Sequence, residues 1–159
     1  MRTNRSAAFT TALLLVALAL AVTAAAADQH SGTWKMNPAK SKYSPGPAPK
    51  STTVKVEADE KGVEIDAEIV NADGSPAHVQ YDAKFDGKDY PVTGVPYADT
   101  VSVKRIDANT IEATMKKGGQ VTMTVTTKLS KDGKTRTSIF KGKDAQGHDV
   151  HNVVVSDKQ

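Results

Sequence analysis

The sequence predicts an all-β protein, built as a single up-and-down antiparallel β-barrel of eight to ten strands. Three observations indicate this class. Beyond residue 27 the chain contains one leucine, Leu129, against 15 valines and 13 threonines, and β-branched side chains favour the pleated surface of a sheet. Apolar and polar residues alternate with a two-residue period over most of this region. Short turn signals rich in Asp, Asn and Gly separate the alternating runs.

The chain of 159 residues begins with the layout of a cleaved signal peptide. Two arginines precede the apolar run Ala12–Val22, and Ala25 and Ala27 stand in an A-x-A cleavage pattern. A helix of that run would span only about 16 Å, whereas a bilayer core is about 30 Å thick. We therefore expect residues 1–27 to be removed, leaving an exported periplasmic or extracellular protein without a stable membrane anchor.

Removal of this leader leaves one domain, residues 28–159, with 19 Lys and Arg against 18 Asp and Glu. These charges alternate along the chain, whereas a nucleic-acid-binding protein needs a clustered excess of Lys and Arg. Nucleic acid is therefore excluded as a partner. The chain has no cysteine, so a disulfide framework is absent and a closed hydrogen-bonded sheet must supply the stability of an exported domain.

The first strand of the domain is short, Gly32–Met36, and a turn follows it. Asn37 and Pro38 have the character of a helix N-cap and a first helical position. They predict a short helical turn that ends by Tyr43. The proline-rich run Ser44–Pro49 then stops any helix and favours an extended path.

A regular meander occupies the rest of the chain. Each alternating run ends at a tight turn signal, of which Asp86-Gly87-Lys88 is typical. The facing of the last two strands is ambiguous, because their apolar residues do not alternate cleanly. The expected strands lie within residues 54–57, 63–69, 79–85, 90–93, 101–103, 111–115, 121–125, 135–141 and 149–156.

Successive hairpins with one apolar face predict a sheet that closes on itself. An open meander of this length would leave long unpaired edges, which proteins avoid. A two-sheet sandwich is the alternative, but its Greek-key crossovers need longer connections than most of these turns provide.

The sequence resembles the calycin superfamily of lipocalins and fatty-acid-binding proteins. Gly32-x-Trp34 is similar to the glycine-x-tryptophan signature on the first strand of these barrels. The meander has the length of a fatty-acid-binding protein, and the turn at Pro38–Tyr43 stands where that family has a helical lid. The last strand departs from the family, because Val153–Ser156 lacks the arginine-x-tyrosine pair that grips a carboxylate in many of its members.

The resemblance implies a structural role for Trp34, which would close one end of the barrel under a cation from a late strand. Arg136 is the candidate for that cation, since the domain has only Arg105 and Arg136. Either arginine could instead point inward and pair with an acidic headgroup of a ligand, because the guanidinium fork matches a carboxylate. A solvent-exposed surface arginine beside Asp or Glu is the third interpretation.

The expected function is binding of a small hydrophobic or amphipathic, lipid-like molecule inside the barrel. Few bulky side chains are available to fill the interior, which favours a cavity. The alternative is a filled barrel that acts through its outer face as an inhibitor, adhesin or envelope-stress protein. We expect a monomer. The alternation places these residues in the lining, with Arg136 as the polar contact: Trp34, Met36, Ile65, Tyr81, Phe85, Val103, Met115 and Met123.

We expect neither catalysis, nor a cofactor, nor a metal. The sequence has no G-x-S-x-G nucleophile elbow and no H-E-x-x-H metal motif. His148 and His151 are three residues apart, so on a strand they would point to opposite faces and could not chelate one ion. His78 is isolated in the sequence, and His30 is expected in a flexible N-terminal tail.

Overall fold

The computed structural model describes residues 27–159, so the predicted leader, Ala27 apart, lies outside the described residues. The described chain folds into ten strands, which agrees with the all-β prediction. They are β1 (Gly32–Met36), β2 (Ser51–Ala58), β3 (Gly62–Val70), β4 (Pro76–Lys84), β5 (Asp89–Thr93), β6 (Thr100–Asp107), β7 (Thr110–Lys117), β8 (Gln120–Leu129), β9 (Thr135–Lys143) and β10 (Asp149–Lys158).

The ten strands form one closed antiparallel barrel in which each strand pairs with its neighbour in sequence. The ring closes between β1 and β10, where Trp34 aligns with Lys158 and Met36 with Ser156. Closure leaves the backbone hydrogen-bonding groups of both terminal strands satisfied. The predicted up-and-down barrel is confirmed, and the two-sheet sandwich does not occur.

The alternation that predicted the strands also determines which side chains enter the core. Along β3, Val63, Ile65 and Ala67 are buried while Glu64 and Glu68 face solvent. The pairing also settles the facing of the last two strands. Ser138 on β9 and Ser156 on β10 are both buried, so the even-numbered residues of these strands point inward.

The connection from β1 to β2 contains a single hydrogen-bonded turn, and the expected helical turn is not seen. The carbonyl oxygen of Asn37 accepts hydrogen bonds from the amides of Lys40 and Ser41. The chain then returns at once to β10, because the amide of Lys42 donates to the carbonyl of Val153. Backbone pairing on both sides leaves too few residues for a helix.

The part of the chain that the structure describes contains no helix long and apolar enough to cross a bilayer.

The loop between β5 and β6 passes very close to β4 at Gly94. Gly94 has a φ of +83°, and a Cβ atom at this position would lie 1.7 Å from the carbonyl oxygen of His78. Only glycine permits both this backbone conformation and this approach. The contact holds the β5–β6 loop against the barrel end, where it borders the interior.

We predict that Gly94→Ala lowers the free energy of unfolding by about 3 kcal/mol, because left-handed strain adds to the overlap with His78. Gly118 provides the matched control. It also has a positive φ, +55°, but a Cβ atom there would meet nothing within 4 Å. Gly118→Ala should therefore cost only about 1 kcal/mol. Urea unfolding of both variants measures the difference, and equal costs would contradict the close approach.

Candidate ligand-binding site

The barrel encloses a cavity of about 820 Å³. Inward-facing side chains of β2–β4 and β7–β10 form its walls. The turns at one end of the barrel surround its mouth, among them the proline-rich β1–β2 connection. Tyr43 and Tyr97 lie at this mouth, and burial raises the pKa of both, that of Tyr43 to about 12. The two tyrosines therefore stay neutral phenols at physiological pH.

Most of the cavity wall is apolar. The residues contributed by β2, β3 and β4 are almost all aliphatic, and β7 adds a further aliphatic strip. Such a surface is poorly hydrated and favours apolar occupants. The aliphatic and methionine side chains of the wall are Val54, Val56, Val63, Ile65, Ala67, Ile69, Ala77, Val79, Ile111, Ala113, Met115, Met123, Val125, Val150 and Val154.

A polar strip interrupts the apolar wall on β8, β9 and β10. Thr127 and Ser138 are both buried, and their hydroxyl oxygens lie 2.9 Å apart in a hydrogen bond. Arg136 lines the cavity one inward position from Ser138, and its Cα is paired with that of Ser156. The cavity therefore has two chemically different sides, with its one lining cation on the polar side.

Arg136 is enclosed by the barrel, and this burial lowers the pKa of its guanidinium. The Tyr81 phenol across the cavity has the opposite effect on that pKa. Within the described residues 27–159, Arg136 has no ion pair with a carboxylate and no side-chain hydrogen bond. An arginine keeps its charge in proteins, so the cavity contains a cation that the described protein groups do not neutralise.

The end of the barrel opposite the mouth is closed by packed side chains. Trp34 is fully buried there, and its Nε1 donates a 2.9 Å hydrogen bond to the carbonyl of His30. The Lys158 ammonium stands 5.1 Å from the Trp34 ring centroid. Arg105 stacks 4.5 Å from the Phe85 ring centroid and forms an ion pair with Asp28. We call these six residues the floor: Asp28, His30, Trp34, Phe85, Arg105 and Lys158.

His30 is 2% exposed and belongs to both the floor and the cavity lining. Burial lowers its pKa to about 4; Asp28 and Asp107 oppose the shift, while Arg105 and Arg136 reinforce it. The imidazole is therefore neutral at physiological pH. Its Nε2 atom is buried without a hydrogen-bond partner among the described residues, which is an energetically costly state for a polar atom.

Five of the residues expected in the lining do line the cavity: Ile65, Tyr81, Met115, Met123 and Arg136. The structure places the other four elsewhere. Trp34 and Phe85 belong to the floor, and Met36 accepts a hydrogen bond from the Tyr43 hydroxyl. Val103 is fully buried in the packed core and does not line the cavity. The alternation identifies inward side chains correctly, but it does not distinguish packed levels of the barrel from hollow ones.

Two expectations about arginine and histidine need correction. The cation over Trp34 is Lys158 of the last strand, and Arg136 lies in the cavity instead. Arg105 points inward, but its guanidinium forms an ion pair with Asp28 at the floor. His30 is also not in a flexible tail, because it is buried beneath Trp34.

The polar strip was not predicted from the sequence. Thr127, Ser138, Asn152 and Ser156 were missed because hydroxyl and amide side chains on a β-strand ordinarily face solvent. Two inward valines of β10, Val150 and Val154, share the face of Asn152 and Ser156, and reading them as one stripe was the available clue.

The histidines considered for a metal site are not brought together. The Nδ1 atom of His148 lies 3.0 Å from a carboxylate oxygen of Asp144 in the same turn, and the His151 side chain is exposed. The described residues contain no group of three or more His, Asp and Glu side chains placed to hold an ion.

A comparison with solved structures finds the zebrafish ileal bile acid-binding protein complexed with cholic acid, to which this chain is similar in structure. The alignment has a TM-score of 0.49 and 11% sequence identity, and it covers 82% of this chain and 99% of that chain. No family model and no curated protein matches the sequence. The ten-strand closed barrel itself agrees with the fold expected from the sequence.

The buried His30 predicts a stability that depends on pH. The unfolded chain takes up a proton on His30 near pH 6.5, whereas the folded barrel resists it until about pH 4. Between these values the unfolded state binds more protons, so the free energy of unfolding falls as the pH drops. Between pH 7.5 and pH 4.5, the free energy of unfolding should therefore fall by about 2 kcal/mol less in His30→Gln than in the wild type.

Urea unfolding at the two pH values measures this effect. His151→Gln, which removes an exposed histidine of β10, is the control and should lose as much stability as the wild type. An undiminished loss in His30→Gln would show that other groups cause the acid sensitivity.

Proposed function

We propose that this protein binds a small hydrophobic or amphipathic, lipid-like molecule inside its barrel and carries or sequesters it. The observation that supports this most directly is the cavity of about 820 Å³ with a largely aliphatic wall. Sites for small molecules occupy about 300–1,000 Å³ and bury most of the ligand surface against apolar side chains. The volume of this cavity lies in that range, and its wall is largely apolar.

The driving force for binding is the removal of apolar ligand surface from water. Each 100 Å² so buried contributes about 2.5 kcal/mol, against which the ligand loses translational and rotational freedom. The rigid walls lower the conformational entropy that the protein loses on binding, because the strands that carry the aliphatic side chains are already ordered.

We propose a binding protein and not an enzyme. The lining residues that could act as nucleophiles or bases are unsuited to it, including His30, whose pKa of about 4 makes its neutral imidazole a weak base. Burial raises the pKa of Tyr81, and Thr127 and Ser138 bond to each other without a base. A hydroxyl nucleophile needs an adjacent group that accepts its proton.

The alternative, a filled barrel that acts through its outer face, requires inward side chains to meet across the axis. The large cavity argues against it. The outer face also offers little for a partner to bind. Its exposed large hydrophobic residues, Val70, Ile106 and Val121, belong to three strands that are not neighbours in the barrel, and isolated apolar residues of this kind are ordinary on a surface.

We further propose that the protein is exported and that residues 1–27 are removed. A cut after Ala27 retains Asp28 and its ion pair with Arg105, as well as the whole floor. N-terminal sequencing of the protein from its host should begin at Asp28. A start at Met1 would contradict export through a cleaved leader.

We predict that Ala113→Phe blocks binding without unfolding the barrel, because Ala113 lines the cavity and the new ring has free space. The matched control is Ala83→Phe, since Ala83 is fully buried but does not line the cavity. There the ring should cost about 3 kcal/mol of stability through overpacking. A filled barrel would instead be destabilised equally by both substitutions.

The test uses the delipidated protein and the methyl ester of the fluorescent fatty acid cis-parinaric acid, a neutral probe of apolar cavities. Wild-type protein should give saturable fluorescence, and Ala113→Phe should lower the affinity at least about tenfold. Native mass spectrometry of the protein from its host should show a bound small molecule. Absence of saturable binding in the wild type would contradict the proposed function.

A further inference from the structure

A second concave site lies on the outer side of the floor, outside the barrel. Its volume of about 360 Å³ falls within the range of about 300–1,000 Å³ that small-molecule sites occupy. Its described lining residues are all different from those of the barrel cavity. The N-terminal segment, residues 27–31, and the β8–β9 turn, residues 130–134, form its two sides, and Lys158 at the end of β10 completes it. We call this site the outer cleft.

Hydrogen bonds and close packing hold the outer cleft in place. The amide of Lys158 donates a 2.9 Å hydrogen bond to the carbonyl of Lys134, which joins the end of β10 to the β8–β9 turn. The Lys158 ammonium donates to the carbonyl of Gln29 at 3.2 Å and lies over the Trp34 ring. The Lys158 side chain can take this path because residue 32 is glycine, where a Cβ atom would lie 2.7 Å from it. The position of this ammonium is therefore fixed by the fold.

The outer cleft carries an excess of positive charge. Three of the residues that line it are lysines, and none of these forms an ion pair with a carboxylate of the described chain: Lys131, Lys134 and Lys158. The two carboxylates of the lining already have partners. Asp28 forms the ion pair with Arg105, and Asp132 accepts hydrogen bonds from the Ser130 hydroxyl and the Lys134 amide. With Arg105 included, four cations oppose two carboxylates, so two positive charges are left uncompensated.

The type of cation in the outer cleft indicates the class of anion that it would bind. An arginine fork matches the two oxygens of a planar carboxylate, but Arg105 beside the cleft is held by Asp28. A lysine ammonium is instead a compact point charge with three donors. Three ammonium groups from two segments of the chain suit an anion whose oxygens point in several directions. A phosphate group has this geometry, and lysine is a common phosphate ligand.

The proposed removal of residues 1–27 would strengthen this charge. Ala27 lines the outer cleft, so a cut after it would leave the α-amino group of Asp28 in its place. An α-amino group has a pKa of about 7.7–8.0 and is positively charged at neutral pH. The cleft would then gain both space and a further cation.

We propose that the outer cleft binds a phosphate group through Lys131, Lys134 and Lys158, at a site separate from the barrel cavity. The phosphate belongs either to a soluble phosphate compound or to a lipid headgroup, since both present the same oxygens to the lysines. The proposal goes beyond the proposed function, because it assigns a second ligand to the opposite side of the floor.

The first experiment titrates the protein purified from its host with inorganic phosphate. Trp34 is the only tryptophan of the chain and lies 5.1 Å from the Lys158 ammonium, so an anion on this ammonium should change the Trp34 fluorescence. The change should be saturable, and amide NMR shifts should be concentrated at residues 28–31 and 130–134. Absence of a saturable change, or an equal change with sodium chloride at the same ionic strength, would overturn the proposal.

Substitutions of the turn lysines test which groups hold the phosphate. Lys131→Met and Lys134→Met should each lower the phosphate affinity about tenfold, since each removes one charge-assisted hydrogen bond. Both side chains are exposed, so the Tm should stay unchanged in both variants. Lys158 is left intact, because it also packs over Trp34 in the floor. Unchanged phosphate affinity in both variants would overturn the proposal.

Lys141→Met is the matched control. Lys141 is exposed on the outer face of β9 and does not line the outer cleft. Its removal changes the net charge equally and should leave the phosphate affinity intact. A tenfold loss in this variant as well would show that net charge alone attracts the anion, and it would overturn the site.

Cosedimentation with lipid vesicles distinguishes the two sources of the phosphate group. Binding to phosphatidylglycerol vesicles that inorganic phosphate competes away, and that Lys134→Met weakens, would identify a lipid headgroup. Phosphate binding in solution without vesicle binding would identify a soluble phosphate compound. The turn variants should bind the methyl ester of cis-parinaric acid as the wild type does. Failure of the wild type to bind that ester would overturn the proposed function and leave the outer cleft standing.

Discussion

The pairing of β1 with β10 closes the barrel and so creates its interior. It joins the two ends of the chain through three aligned residue pairs, Trp34–Lys158 among them. The contact is extended beyond the turn after β1, where Lys42 pairs with Val153. At the chain end the amide of Gln159 bonds to the carbonyl of Thr33. Without this closure the sheet would be open, and no enclosed interior could exist.

Closure also makes the two ends of the barrel different. The same pairing that joins the strands brings Lys158 over the Trp34 ring and positions the N-terminal segment beneath it. Trp34 and His30 therefore fill one end, and bulk is concentrated there. The opposite end has only turns and the proline-rich connection. A barrel filled at one end and bordered by turns at the other is a pocket with a single direction of access, which makes ligand orientation meaningful.

The sequence predicted the barrel because its signals are local. Alternation and turn residues act over a few positions, and β3 and β7 follow them directly. The candidate site was predicted in part: Ile65 and Met115 line the cavity, whereas Trp34 and Phe85 pack the floor. Depth along the barrel axis depends on register between distant strands, which no local pattern encodes. His30 was missed for the same reason, since only closure of the ring buries it.

The hollow interior and the unpaired Arg136 both lower the stability of the empty protein. A cavity lacks the packing contacts that side chains would make across the axis, and the Arg136 guanidinium has no carboxylate partner among the described residues. The closed hydrogen-bonded ring compensates for both in a domain without disulfides. An occupant that fills the cavity adds contacts absent from the unfolded chain, so it stabilises the fold by mass action, by about 2.7 kcal/mol at a hundred times its Kd. The cavity and the unpaired Arg136 therefore lower the stability of the empty barrel, and they also make that stability depend on a bound ligand.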